Sequence, residues 1–147
     1  MKSAIVYAST HHGNTKKLVD AISSEFDVDL VDAVSVAEFD LAPYDLIVFA
    51  SGIYAAKMHP KIISFAENNL PSGKKIAYIM TSAMNKDFSK SMDKAVSGKD
   101  AEVLGVYTCH GYNTFGPFKL VGGTSKGHPD EADVQGAVDF FRRISAE

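Results

Sequence analysis

The chain has 147 residues, 46% hydrophobic and 22% charged, the makeup of a folded globular chain and not of a disordered one. Fifteen Lys and Arg against eighteen Asp and Glu leave a formal charge of −3, which supplies no electrostatic reason for a nucleic-acid or anionic-membrane partner. A single cysteine, Cys109, excludes internal disulfides and any cysteine-rich metal or iron–sulfur centre, and no metal is expected. No stretch approaches the ~18 consecutive apolar residues of a membrane span, and the opening MKSAIVYAST is too short in apolar residues for a secretory signal. The expectation is one cytoplasmic domain over residues 1–147.

Residues 5–8 form a short apolar run cut off by SerThrHisHisGlyAsn, which predicts a strand. From Thr15 the period changes: Leu18, Val19 and Ile22 share one face, as on an amphipathic helix. Phe26, Val28 and Leu30 alternate with Asp27 and Asp29, the pattern of an edge strand with one wet side. Residues 34–39 suggest a single helical turn. LeuIleValPheAla at 46–50 is apolar without alternation, as in a central strand buried on both faces. Pro60 sits just inside a helix start whose buried stripe is Ile62, Ile63, Ala66 and Leu70. Another strand follows at 76–80. Phe88, Met92, Ala95 and Val96 have helical spacing before Gly98, and 103–108 is the fifth strand. Pro129, Asp130 and Glu131 open a last helix marked by Val134, Val138, Phe141 and Ile144, with acidic residues at its positive end. Alternating strands and helices predict an α/β class: a doubly wound three-layer α/β/α sandwich with a parallel sheet. The segment 110–128 carries five glycines, breaks the rhythm, and is expected to fold over something.

The junction Ser9-Thr10-His11-His12-Gly13-Asn14-Thr15 joins the first strand to the first helix. Ligands of doubly wound sheets bind beyond the C-terminal strand ends. A helix start offers unpaired N–H groups and a dipole that favours an anion. Ser9, Thr10, Asn14 and Thr15 add donors, and Gly13 permits close backbone approach. A plain N-cap turn explains the same residues. The spacing fits neither GxxxxGK[ST] nor GxGxxG.

VYASTHHGNT resembles the phosphate loop of the flavodoxin-like family, usually S/T-x-T-G-N-T, with one residue more. FASGIYAAKMHP resembles the family's second flavin loop, and GHPDEAD the approach to the last helix in short members. The resemblance covers the whole chain. It implies a five-stranded sheet in the order 2-1-3-4-5 and bound flavin mononucleotide (FMN). On that resemblance Ser9, Thr10, His11, His12, Gly13, Asn14 and Thr15 surround the phosphate, the two histidines either bonding it or facing solvent. Ser51, Gly52, Ile53, Tyr54 and Ala55 line the ring. Tyr54 is the stacking candidate, or else a half-buried surface tyrosine. Backbone near Ala55 and Ala56 faces the flavin N5 edge, where relatives carry glycine; alanine adopts positive φ less readily. Lys57 either tunes the ring or is a solvated rim residue. Ser82, Ala83 and Met84 read the pyrimidine edge, unless Ser82 caps the next helix. Gly111 and Tyr112 lie on the far side of the ring. Cys109 is read as a buried inert thiol and His128 as structural.

The function implied is electron transfer, with the cofactor doing the redox work and redox partner proteins met in weak, transient contacts. A small FMN-dependent oxidoreductase acting on quinone-like or porphyrinogen-like substrates is the second reading. A cofactor-free adaptor is the third.

Overall fold

The computed structural model describes residues 1–9, 13–111 and 127–146. The elements run β1 Ser3–Ala8, α1 Asn14–Glu25, β2 Val28–Asp32, β3 Leu46–Tyr54, β4 Lys57–Met58, α2 Pro60–Asn69 and β5 Lys75–Ser82. A 3₁₀ turn, Ser89–Met92, then leads into α3 Asp93–Val96, followed by β6 Glu102–His110 and α4 Glu131–Ser145. Five strands form a parallel sheet in the order β2-β1-β3-β5-β6. This is the expected 2-1-3-4-5 order. The correction is a sixth strand: β4 folds back antiparallel on the end of β3, pairing Ile53 with Met58 and Tyr54 with Lys57.

The period-two geometry of strands explains the layers. Ala4, Val6 and Ala8 of β1, Ile47 and Phe49 of β3, and Ile76, Tyr78 and Met80 of β5 enter one core. Ile62, Phe65 and Ala66 of α2 and Met92 and Ala95 close it. Ile5, Tyr7, Leu46, Val48, Ala50, Ala77 and Ile79 enter the other, against Leu18, Val19 and Ile22 of α1 and Val138, Phe140, Phe141 and Ile144 of α4. Strands buried on both faces have no polar positions, hence the unalternating runs. β2 is the expected edge strand, but its second face is not wet throughout: Val28 and Leu30 pack half-buried on one core, while Val31, two residues from the exposed Asp29, is buried in the other.

Two expectations are corrected. The single turn expected at 34–39 begins earlier: the Ser35 and Val36 amides both donate to the Asp32 carbonyl, at 3.1 and 2.9 Å, and the turn they close does not reach 39. Asp32 ends β2 and caps this turn, its carboxylate accepting from the Val34 amide and the Ser35 hydroxyl. The helix expected around 88–96 is divided evenly, a 3₁₀ turn over Ser89–Met92 followed by the α-helical Asp93–Val96. The last helix is as expected: Asp130 is its N-cap and forms a reciprocal capping box with Asp133. No helix among the described residues is long and apolar enough to cross a membrane.

Two local features generate predictions. Gly136 lies on α4 where a Cβ would run into the Tyr107 hydroxyl, which donates to the Asp133 carbonyl at 2.7 Å. Gly136→Ala gains about 1 kcal/mol of helix propensity but overpacks the half-buried Tyr107 ring at about 1–3 kcal/mol. We expect a net loss of roughly 1 kcal/mol in urea unfolding, reduced when Tyr107→Phe is added. At the β3–β4 turn, Ala55 and Ala56 have φ of 51° and 64°. Both therefore occupy the left-handed region that two-residue hairpins demand and glycine or asparagine usually fills. Ala56→Gly should raise stability by about 0.5–1 kcal/mol, the reverse of the usual effect of glycine, read from the same unfolding curves.

Candidate functional site

The chain runs from β1 outward to β2, then returns across β1 to β3. Consecutive crossovers therefore leave in opposite directions from the β1–β3 pair, which opens a crevice at the strand C-termini. The register levels the strand ends: Ala8 lies beside Ser51, Gly52 beside Thr81, and Ser82 beside His110. The Gly111 amide extends this pairing by donating to the Ser82 carbonyl at 3.1 Å.

α1 starts at this crevice. Its N-cap is Gly13 with φ 65°, so the cap position itself brings no side-chain oxygen to the first-turn amides. The Lys16 amide is the exception, donating to the Ser9 hydroxyl at 3.2 Å. Ser9 thus does part of the work of an ordinary cap while keeping its own hydroxyl hydrogen. The Lys16 ammonium pairs with Asp20 at 2.8 Å, one helical turn on. Thr15 is buried, and its hydroxyl meets that of Thr81 at 3.3 Å. Asn14 packs close to Gly111: a Cβ on Gly111 would lie 2.8 Å from Asn14 Nδ2 and 3.1 Å from Thr81 Cβ. Three elements, α1, β5 and β6, meet here because glycine directly follows β6. Thr10, His11, His12 and Tyr112 lie outside the described residues, as do residues 112–126 of the glycine-rich segment.

The β3 end is arranged differently from a simple lining loop. Ser51 is fully buried; its hydroxyl donates to the Gly52 carbonyl at 2.7 Å and accepts from the His59 amide at 3.1 Å. It ties β3 to the start of α2. Ile53 turns into the core on the α2 side. Tyr54 lies over Gly52, where a Cβ would be 3.5 Å from the tyrosine hydroxyl, and meets the His59 ring edge-on at 5.0 Å. His59 accepts from the Lys61 amide at Nδ1, capping α2, which requires that nitrogen unprotonated. Burial and the nearby Lys61 push its pKa below the usual histidine value, in keeping with the cap. Ala55 and Lys57 are exposed.

At the end of β5, the Ser82 Oγ is buried and meets no hydrogen-bond partner among the described residues. Ala83 receives a hydrogen bond from His110 Nδ1 at its carbonyl, at 3.0 Å; a carbonyl only accepts, so the proton is on Nδ1. Met84 is 71% exposed, a bare apolar side chain at the rim. Cys109 is buried and its thiol is pushed up to about 12 by burial, so it is no thiolate nucleophile. His128 braces the α4 cap: its Nδ1 donates to Asp133 at 2.6 Å, and that bond raises its pKa. Ligand-type atoms of His128, Asp130 and Asp133 lie within 4.8 Å of one another, all three engaged in this cap.

Of the residues singled out in the sequence, Ser9, Gly13, Asn14, Thr15 and Gly111 converge at the α1 start, with Ser82 at the end of β5 and Ala83 just after it. Thr81 and His59 join the arrangement without having been singled out. The contact of Thr81 with Thr15 spans 66 residues and leaves no local signal.

A family model described as a flavodoxin domain matches residues 4–111. The uncharacterized protein MJ0298 of Methanocaldococcus jannaschii is 38% identical over 148 residues, spanning 98% of each chain. Oxidised flavodoxin 2 of Bacillus cereus superposes with a TM-score of 0.65 at 19% identity, covering 99% of both chains. A Lactobacillus acidophilus flavoprotein solved in complex with FMN gives 0.53 at 18% identity, over 74% of this chain and 93% of that one. At these identities the structures speak for the fold, and the family model and the archaeal relative for descent; the chain belongs to the flavodoxin-like family.

Proposed function

We propose that the chain binds FMN across the strand-end crevice and passes electrons between redox partner proteins. The observation that carries this reading is the start of α1: glycine-capped, opening at the reversal between β1 and β3, and level with a buried Ser82 hydroxyl lacking a partner among the described residues. A buried polar atom without a partner costs about 1–3 kcal/mol, a penalty that a polar ligand edge removes. A flavin satisfies both ends of the crevice. Its phosphate suits the first-turn amides with Asn14 and the Ser9 hydroxyl, and its pyrimidine edge suits Ser82. Bound there, FMN supplies one- and two-electron redox chemistry.

The chain's own residues bind and orient. Gly13 brings no side-chain oxygen of its own to the first turn, and the helix dipole favours an anion there. Tyr54 offers an aromatic ring to a planar ligand, held by His59. The FMN seen in the Lactobacillus flavoprotein supports this ligand over the dinucleotide. The exposed Met84 gives partner proteins an apolar contact next to the ring loop, as small transient encounters require.

Purified protein mixed with FMN should retain the visible flavin absorbance through gel filtration and bind FMN more tightly than riboflavin. Asn14→Ala should weaken FMN by about tenfold while changing riboflavin little, as expected for loss of a charge-assisted hydrogen bond. Equal affinity for the two flavins would remove the phosphate from α1. Reduction of a quinone well above the rate of free FMN would move the assignment to an FMN-dependent oxidoreductase.

A further inference from the structure

We propose that Thr81, at the end of β5 and outside the phosphate loop, is a positioning residue for the anion site, acting through Thr15. This deepens the FMN reading and rests on it.

The two threonines are 1% and 3% exposed, and their hydroxyl oxygens are 3.3 Å apart. Either can donate. If Thr15 donates, its only hydroxyl hydrogen is used within the pair. If Thr81 donates, Thr15 keeps that hydrogen for an acceptor beyond the pair. A dianion near the first turn of α1 selects the second arrangement, because a hydrogen pointed toward negative charge is worth roughly twice a neutral bond. Gly111 faces Asn14 and Thr81 so closely that no side chain would fit between them. Thr81 is also followed directly by Ser82. One hydroxyl pair therefore links the anion-binding turn to the strand end that carries the ring-side loop.

The test is a comparison of ligands on the intact chain. Thr81→Val keeps the side chain's shape and removes its hydroxyl; Thr81→Ser keeps the hydroxyl. Kd values for FMN and riboflavin, and the rise in Tm produced by inorganic phosphate, are measured for each. We expect Thr81→Val to weaken FMN by about three- to tenfold, the worth of one hydrogen bond, to leave riboflavin within about twofold, and to shrink the phosphate-induced rise in Tm. Thr81→Ser should restore all three. Equal losses for both flavins, or none for either, would overturn the proposal. Should Thr81→Val fail to fold, Thr81→Ala and Thr81→Ser provide the same comparison. A wild-type protein that responds to neither FMN nor phosphate would overturn the FMN reading itself. A responsive wild type matched by Thr81→Val would overturn only the role of Thr81.

Discussion

A parallel sheet joined by helical crossovers must bury both of its faces, because every strand sends alternate side chains to opposite sides. In this chain that requirement produces two cores, one under α2 and α3 and one under α1 and α4. To cover both faces from one continuous chain, the crossovers must leave the sheet in both directions. The reversal falls between β1 and β3. The crevice at their C-terminal ends results from covering the sheet and owes nothing to any ligand; the sequence adds the chemistry of the residues that end the strands.

Those endings are unlike one another. β1 leads through a small polar stretch to a glycine-capped helix; β3 ends in a hairpin; β5 ends in two hydroxyl residues; β6 is followed directly by a glycine. The last two matter together. Gly111 lets β6 come against Asn14, and Thr81 reaches Thr15, so α1 is seated on two strands that lie well apart from β1 in sequence. A helix N-terminus held this way presents its amides in a fixed direction, and fixed donors bind an anion without the reorganisation that mobile side chains require.

The fold was legible because its information is repetitive. The central strands 46–50 and 76–80 announce themselves as apolar runs, and α1 and α4 as stripes over several turns. Information carried by one or two residues escaped. Ala55 and Ala56 lack the glycine or asparagine that marks a two-residue hairpin, so β4 could not be anticipated. At 32–36, Asp32 alone places the turn, capping it from the end of β2 ahead of the apolar pattern. At the site, residue types at the α1 start were readable as anion donors, but partnerships were not. Ser51 braces the α2 start, and Thr15 is engaged by a residue 66 positions away. Polar side chains near a site look alike in sequence whether they face a ligand or hold a neighbour.

The two alanines show how a local rule can yield to tertiary structure. Each left-handed alanine costs about 1 kcal/mol, yet the residues on the C-terminal side of the turn hold it in place twice over. Met58 is fully buried under β3, with its amide donating to Ser91, and the next amide, of His59, donates to Ser51. Burying a methionine is worth about 1.5–3 kcal/mol, and each backbone bond about 0.5–1.5 kcal/mol. The hairpin is therefore pulled tight from its far side, and the alanines accept the conformation instead of setting it. Under the FMN reading this gives the loop beside the ring a stiff backbone. Glycine at either position would relieve the strain and also widen the range of conformations open to that loop, so stability and site rigidity respond in opposite directions to the same substitution.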